Sequence, residues 1–416
     1  MWRFVLSMYA FLSSILFCIG QNSCHFYHYS QHEISQSSNV AISNGKIESF
    51  LQNRLFPGEP RLSPPGLHES QPAVFRIPVV VHVLYNREVQ KISGEQVRSQ
   101  IEALNRDFRN LNSSSRILPD QFKNLNADCF IEFALATLDP QGRPTKGITW
   151  KKTNNTSFTT DDRIKFSAQG GDDAWDSDRY LNIWVGNLSA GNIGYSSPLG
   201  ALKEKDGIVI RYTAFGTSGT ATAPHHLGRV AVHEVGHWLG LKHTWGDQYC
   251  GDDGIEDTPQ QKGPTNGCPS GVIPSCDNAT SGAMYMNYMD VTHDACTGIF
   301  TMGQRNRMRA LFAEGGPRHA LLSSHGLLGH SPVEAPVDIP ARAHANVYPN
   351  PAVNRITVST DQIGEPLRIH NHLGQVVSQL DVVSTKMQID ISALKPGIYY
   401  IKIRNSAGVL RFVKSK

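Results

Sequence analysis

His233-Glu234-Val235-Gly236-His237-Trp238-Leu239-Gly240-Leu241-Lys242-His243 is the stretch from which the rest of this 416-residue chain is read. On a helix the first two histidines, four positions apart, leave the same face one turn apart. A tetrahedral zinc ion accepts that bite from nitrogen ligands at about 2.0–2.1 Å. Glu234 lies between them and can reach a water on the metal without being a ligand, which suits a general base. His243 follows His233 by ten positions, too far along a straight helix to share the ion. Gly240 removes the difficulty, because glycine takes the left-handed conformation that ends a helix and turns the chain back. Three imidazoles leave a fourth position open, as a catalytic zinc site does. The competing reading is a histidine-rich helix whose imidazoles are satisfied inside a core.

Composition sets the frame around this motif. Charged residues are 18% of the chain and the formal charge is +3, which points to neither a nucleic-acid nor a membrane partner. Residues 1–20, Met1-Trp2-Arg3 and then an apolar run to Ile19, read as a secretory signal peptide cut after Gly20. A signal anchor is the alternative, but the run is short for a membrane span. Export permits disulfides. Of seven cysteines, Cys18 goes with the signal, and Cys250, Cys268, Cys276 and Cys296 cluster after the motif. Two bridges there staple a Gly- and Pro-rich loop. A structural zinc site is the other reading, and the spacings lack the paired CxxC form.

Residues 21–72 are polar and end in a proline-rich run, which describes a pro-segment and not a core. Cys24 within it has two readings: a thiolate that occupies the open zinc position and keeps the enzyme latent, or a bridge to Cys129 or an idle thiol. From Ile77 to Tyr85 a β-branched run predicts a buried strand. Ser93 opens a helix, with Gln96 completing a capping box. Strands follow over 128–138, 147–152 and 179–185, then an alternating, partly polar one over 206–212 that reads as an edge. Such an edge beside a zinc cleft is where an extended peptide can lie by strand addition. The motif helix is expected from about His226 to Leu241, with His225 and His226 as surface or capping residues. Thr301 and Gln304 cap a last helix running to about Glu314.

Residues 73–314 thus form an α/β domain, with about five strands in a mixed sheet plus the motif helix. Residues 315–345, rich in Gly, Pro, Ala, Ser and His, read as a linker. Short alternating strands over 346–416 describe a small all-β sandwich.

The motif resembles that of the metzincin metallopeptidases, whose signature also needs a downstream Met-turn, present as Asn287-Tyr288-Met289-Asp290. Ile77-Pro78-Val79-Val80-Val81-His82, Thr244-Trp245, Asp257-Thr258-Pro259 and Phe300-Thr301 narrow the resemblance to the pappalysin family. That resemblance implies a secreted zinc endopeptidase, with Met289 packed beneath the ligands. It implies bridges Cys250–Cys276 and Cys268–Cys296, and structural calcium near Asp253, Asp257 and Thr258. Family members carry a tyrosine two residues after the methionine to support the oxyanion; here that place is Val291, which implies either lower activity or substitution by a neighbour such as Tyr288 or His293. Asp294, five residues after the methionine, matches an aspartate at the floor of the pocket for the residue following the scissile bond. It implies cleavage on the N-terminal side of Arg, and more weakly Lys. Arg54, Arg61 and Arg76 then become candidate autolysis sites. An inactive zinc-binding or adhesive protein that keeps the frame is the alternative, with Val291 its one hint. The tail, with Val347-Tyr348-Pro349-Asn350-Pro351 and Lys395-Pro396-Gly397-Ile398-Tyr399-Tyr400, resembles the sorting domain of type IX secretion cargo. A plain interaction sandwich is its alternative. The resemblance therefore places the protein outside a bacterial cell or on its outer surface, with no membrane span once the signal is removed.

Overall fold

The computed structural model describes residues 23–55, 72–112, 118–276, 281–328, 346–360, 363–371, 375–403 and 409–415. The expected signal peptide, Arg61, and the greater part of the expected linker lie outside the described residues. The chain divides into two units between Gly329 and His330. No described helix is long and apolar enough to cross a membrane.

The first unit is built on a mixed sheet of seven strands: β1 (Ser23–Cys24), β2 (Phe75–Tyr85), β3 (Ile131–Leu135), β4 (Ile148–Lys152), β5 (Leu181–Gly186), β6 (Asn192–Ser196) and β7 (Ile208–Arg211). Its order is β1-β6-β7-β5-β2-β3, and β4 pairs with the half of β2 that β3 leaves free. Only the β6–β7 pair is antiparallel. The helices are α1 (Phe26–Gln36), α2 (Ser38–Leu55), α3 (Gly94–Phe108), α4 (Arg229–Trp238) and α5 (Met302–Ala310). Alternation along β2 sends Ile77, Val79, Val81 and Val83 into the core shared with α3 and α4, and Leu84 to the opposite face.

Several expectations need correction. The stretch 206–212 is not an edge: Ile208, Val209 and Ile210 are buried between β5 and β6. The edge of the catalytic body is β6, whose Asn192, Gly194 and Ser196 carry little strand preference and hid it. The strand expected over 128–138 contracts to β3, and the last helix stops at Ala310. Ser93 does cap α3 by accepting from the Gln96 N–H, but the capping box is only half made. The Gln96 amide turns away to donate to the Phe215 carbonyl and Thr220. At α5 both halves of the Thr301–Gln304 box are present.

Of the segment 21–72, read as having no core, residues 26–55 fold into α1 and α2 on the catalytic body. Leu51 is fully buried in the main core, and Glu48 pairs with Arg307 at 2.6 Å. The expected linker also begins late. Residues 315–328 pack on the first unit in short 3₁₀ turns, where the buried Arg318 guanidinium pairs with Asp206 and donates to the Trp238 carbonyl.

The second unit holds β8 (Asn346–Tyr348), β9 (Arg355–Ser359), β10 (Pro366–His370), β11 (Val376–Asp381), β12 (Lys386–Asp390), β13 (Gly397–Ile403) and β14 (Val409–Lys414). They form two antiparallel sheets, β12-β9-β8 and β11-β10-β13-β14. Alternate residues such as Ile356, Val358, Leu367, Ile369, Ile389, Ile401 and Phe412 fill one core.

Candidate metal centre

Helix α4 starts three residues later than expected, because Gly228 is in the left-handed region (φ 78°) at its N-cap. Its other end is a Schellman motif. Gly240 takes φ 82°, the Leu241 N–H donates to the Gly236 carbonyl and the Gly240 N–H to the His237 carbonyl. The reversal brings His243 back, and Arg307 secures it by donating to the Gly240 carbonyl at 2.7 Å.

The three imidazoles meet through Nε2. His237 Nε2 lies 3.0 Å from His233 Nε2 and 3.2 Å from His243 Nε2. Each Nδ1 is engaged elsewhere: His233 with the Tyr288 carbonyl, His237 with the Leu241 carbonyl and His243 with the Asp247 carboxylate. Those acceptors fix the proton on Nδ1 and aim three lone pairs at one point. Burial holds His233 near 3 and His237 well below the ordinary imidazole range, so both are neutral. Lone pairs this close repel unless a cation sits among them. With zinc–nitrogen bonds of about 2.0–2.1 Å, a tetrahedral site has nitrogen–nitrogen edges of about 3.3 Å. The donor set fits zinc.

Cys24 completes a group of four whose ligand atoms lie within 4.8 Å of one another. Its Sγ is 3.6 Å from His237 Nε2, against about 3.6 Å for the sulfur–nitrogen edge of a tetrahedral zinc site. Strand β1 sets it there by pairing Cys24 with Gly194 on β6, and the Phe26 ring stacks on His237 at 3.8 Å between centroids. Cys24 and Cys129 are both free, so no bridge joins them.

Glu234 is fully buried one residue along from His233. Neither of its oxygens accepts a hydrogen bond among the described residues, and burial raises the carboxyl to about 8. Cys24, Ile193, His233, Glu234, Val291 and Asp294 line one cleft. Asp294 sits in its wall with one oxygen committed: Oδ2 accepts from the Leu227 and Arg229 N–H groups, at the start of α4. Its Oδ1 is 3.7 Å from His225 Nδ1.

Residues 166–313 match the peptidase M43 family model described as pregnancy-associated plasma protein-A. Tannerella forsythia mature mirolysin in complex with a cleaved peptide is 46% identical, covering 60% of this chain and 96% of its own with a TM-score of 0.58. This chain belongs to the pappalysin-type M43 metallopeptidases. Tannerella forsythia promirolysin extends the match to 72% of the M43 chain and 97% of its own, at 40% identity and a TM-score of 0.62. An extracellular metalloprotease of Arthroderma gypseum is 31% identical over 243 residues, 56% of this chain and 70% of that protein. One from Podospora anserina is 36% identical over 139 residues, 32% of this chain and 46% of that protein. Against this and similar fungal relatives, this M43 chain spans about half their length. Residues 346–414 match the secretion system C-terminal sorting domain.

Other expected site residues of this metzincin fall out unevenly. Met289 is fully buried beneath α4. The bridges are Cys250–Cys276 and Cys268–Cys296. Tyr288 cannot stand in for the missing tyrosine, since its hydroxyl is engaged by Asn112 in the core. His293 is absent from the cleft lining. Of the three calcium candidates, Asp257 accepts from Thr301 and the Gly303 N–H at the start of α5, and Asp253 accepts from Thr258 through one oxygen while its other oxygen is buried with no hydrogen-bond partner among the described residues. The partners of the ligands were missed. Asp247, four residues after His243, was within reach of a spacing argument; Arg229, whose guanidinium holds the Asp294 and Thr297 carbonyls, was not.

Proposed function

We propose that this protein is a zinc-dependent endopeptidase, exported by the type IX route and held latent by residues 21–72, that cleaves on the N-terminal side of Arg and more weakly Lys. The observation that carries this is the meeting of three Nε2 atoms beside a buried, unengaged Glu234 carboxylate. Zinc held by His233, His237 and His243 supplies an electrophile for the scissile carbonyl and makes the attacking water more acidic. Glu234 takes the proton from that water and returns it to the leaving amine. The carbonyl and carboxylate partners on Nδ1 keep the imidazoles aimed. The substrate backbone lies along β6, where Ser23–Cys24 lies in the latent chain. Asp294 Oδ1 accepts the guanidinium of the residue after the scissile bond.

In the latent form the Cys24 thiolate would join the three imidazoles as a further ligand to the metal. Arg54, exposed at the end of α2, is an accessible cut, whereas Arg76 lies within β2. The sorting domain routes the chain outward, so deleting 346–416 traps it in the periplasm; unimpaired export of the deletion would count against that route.

The test is to incubate the processed chain with a denatured protein and sequence the new N-termini. Fragments beginning with Arg are expected, and none from the Glu234→Gln variant. Turnover retained by that variant would sink the assignment of Glu234. The rival reading is a catalytically weak or inert binding protein, which rests on Val291, a side chain without a hydroxyl, at the place where the resemblance implies a tyrosine. Absence of fragments from a zinc-loaded, processed chain would establish that reading instead.

A further inference from the structure

Tyr29 and Glu33 of α1 plug a site that the catalytic body builds without them. The Tyr29 hydroxyl donates to the Asp162 carboxylate at 2.9 Å and accepts from Lys165 Nζ at 3.1 Å. Its ring packs 4.8 Å from that of Tyr195 and joins an apolar cluster with Phe158, Trp184 and Leu188. One helical turn on, Glu33 pairs with Lys205 at 2.8 Å. The floor does not need the plug to stay in place. Lys165 and Lys205 each pair with Asp162, at 2.9 and 3.0 Å, and Lys165 also donates to the Lys205 carbonyl. Removing α1 therefore leaves a preformed, tyrosine-sized hollow with two ammonium groups and one carboxylate at its base.

We propose that this hollow is an exosite of the processed enzyme, taking a segment of a protein substrate that presents a phenol and a carboxylate one helical turn apart. The proposal rests on release of the pro-segment as read above. Lys and Arg side chains are disfavoured, because the base carries a net positive charge. The phenol finds both an acceptor and a donor, and its ring finds apolar walls. The carboxylate finds Lys205. Neither Asp162, Lys165 nor Lys205 takes part in the proposed chemistry. The site is also apart from the cleft. Ile183, Ile208 and Ile210 face the core shared with α4, so Trp184, Val209 and Tyr195 lie on the other face of the sheet. A short peptide that fills the cleft does not reach it; a long chain that rounds the β6 edge does.

The probe is a fluorescent peptide of residues 28–36, which lacks both Cys24 and Phe26, the ring stacked on His237, and so leaves the metal cleft open. The protein is the zinc-loaded full chain after proteolytic release of its pro-segment. Saturable binding is expected, weakened at least tenfold by Tyr29→Ala or Glu33→Gln in the peptide. In a Lys205→Ala protein the Glu33→Gln change should cost nothing further, the signature of a direct pair. The peptide should slow cleavage of a long substrate carrying Tyr and Glu four residues apart, and leave a short Arg peptide untouched. No saturable binding, additive losses at Glu33 and Lys205, or equal inhibition of both substrates would each overturn the proposal. Latency is read separately, from short-peptide turnover by the unprocessed chain. A rate equal to that of the processed chain would sink latency while leaving the binding result to stand.

Discussion

A Cβ added to Gly236 would sit 2.5 Å from Met289 Sδ, so the middle of the HExxH helix has no room for a side chain because the thioether occupies that space. Overpacking of this kind costs about 1–3 kcal/mol. Gly236→Ala is expected to lower the unfolding free energy by about that amount, read as a lower denaturation midpoint at constant slope, and to weaken zinc retention in dialysis. Pairing it with Met289→Ala should recover part of both losses. A Gly236→Ala protein as stable as the parent would show that the thioether yields freely.

Among residues 23–55, Cys24 is the one that joins the three histidines in a group of potential metal ligands. Cys24→Ser is expected to leave the fold unchanged and to speed activation, with the unprocessed chain cleaving a short Arg peptide. A time course on unprocessed variant and parent checks this, and identical lags would remove the thiol from the account.

His243 owes its orientation to Asp247, which accepts its Nδ1 proton. Loss of such a partner typically reduces metal affinity about 10–100-fold. Asp247→Asn is expected to release zinc to a competing chelator at correspondingly lower chelator concentration, with turnover restored by added zinc.

Asp294 has two tasks that substitution can separate. Asn keeps an acceptor for the Leu227 and Arg229 N–H groups but no charge for a guanidinium. Asp294→Asn is expected to hold its melting temperature and lose about 2–4 kcal/mol of discrimination for Arg, or roughly 30- to 1000-fold in kcat/KM. Asp294→Ala should lose stability as well. Unchanged Arg preference in the Asn variant would reduce Asp294 to a helix cap.

Arg318, from the segment expected to be a linker, is buried against Asp206 with its guanidinium 3.9 Å from the Trp238 ring. Arg318→Ala leaves that carboxylate buried without its partner, which costs about 3–5 kcal/mol. The readout is the urea midpoint at constant slope.

What was legible in the sequence was what local spacing controls. The ligands, Glu234 and Gly240 stand in a fixed register that helix geometry and one left-handed residue turn directly into a site, whereas Met289 is legible only through the family resemblance. The capping box at Thr301 and the β-branched β2 are local in the same sense. What escaped depends on surfaces far apart in the chain. Leu51 is buried only because the catalytic core lies beneath α2, and nothing in a polar segment announces that. Gln96 had the right position for a capping box and found better partners at Phe215 and Thr220. Strand β6, made of Asn, Gly and Ser around two apolar residues, is a strand because β7 pairs with it.

Arg307 spans two histories of the molecule. One arm of its guanidinium steadies the bend that delivers the third imidazole, while another grips Glu48 of the segment proposed to be removed. On that proposal, maturation would strip a counter-ion from behind the bend as well as a thiol from in front of it. The two faces of the ligand array would then change together, so that excising the N-terminal helices would retune the support of the hydrolytic centre in the act of uncovering it.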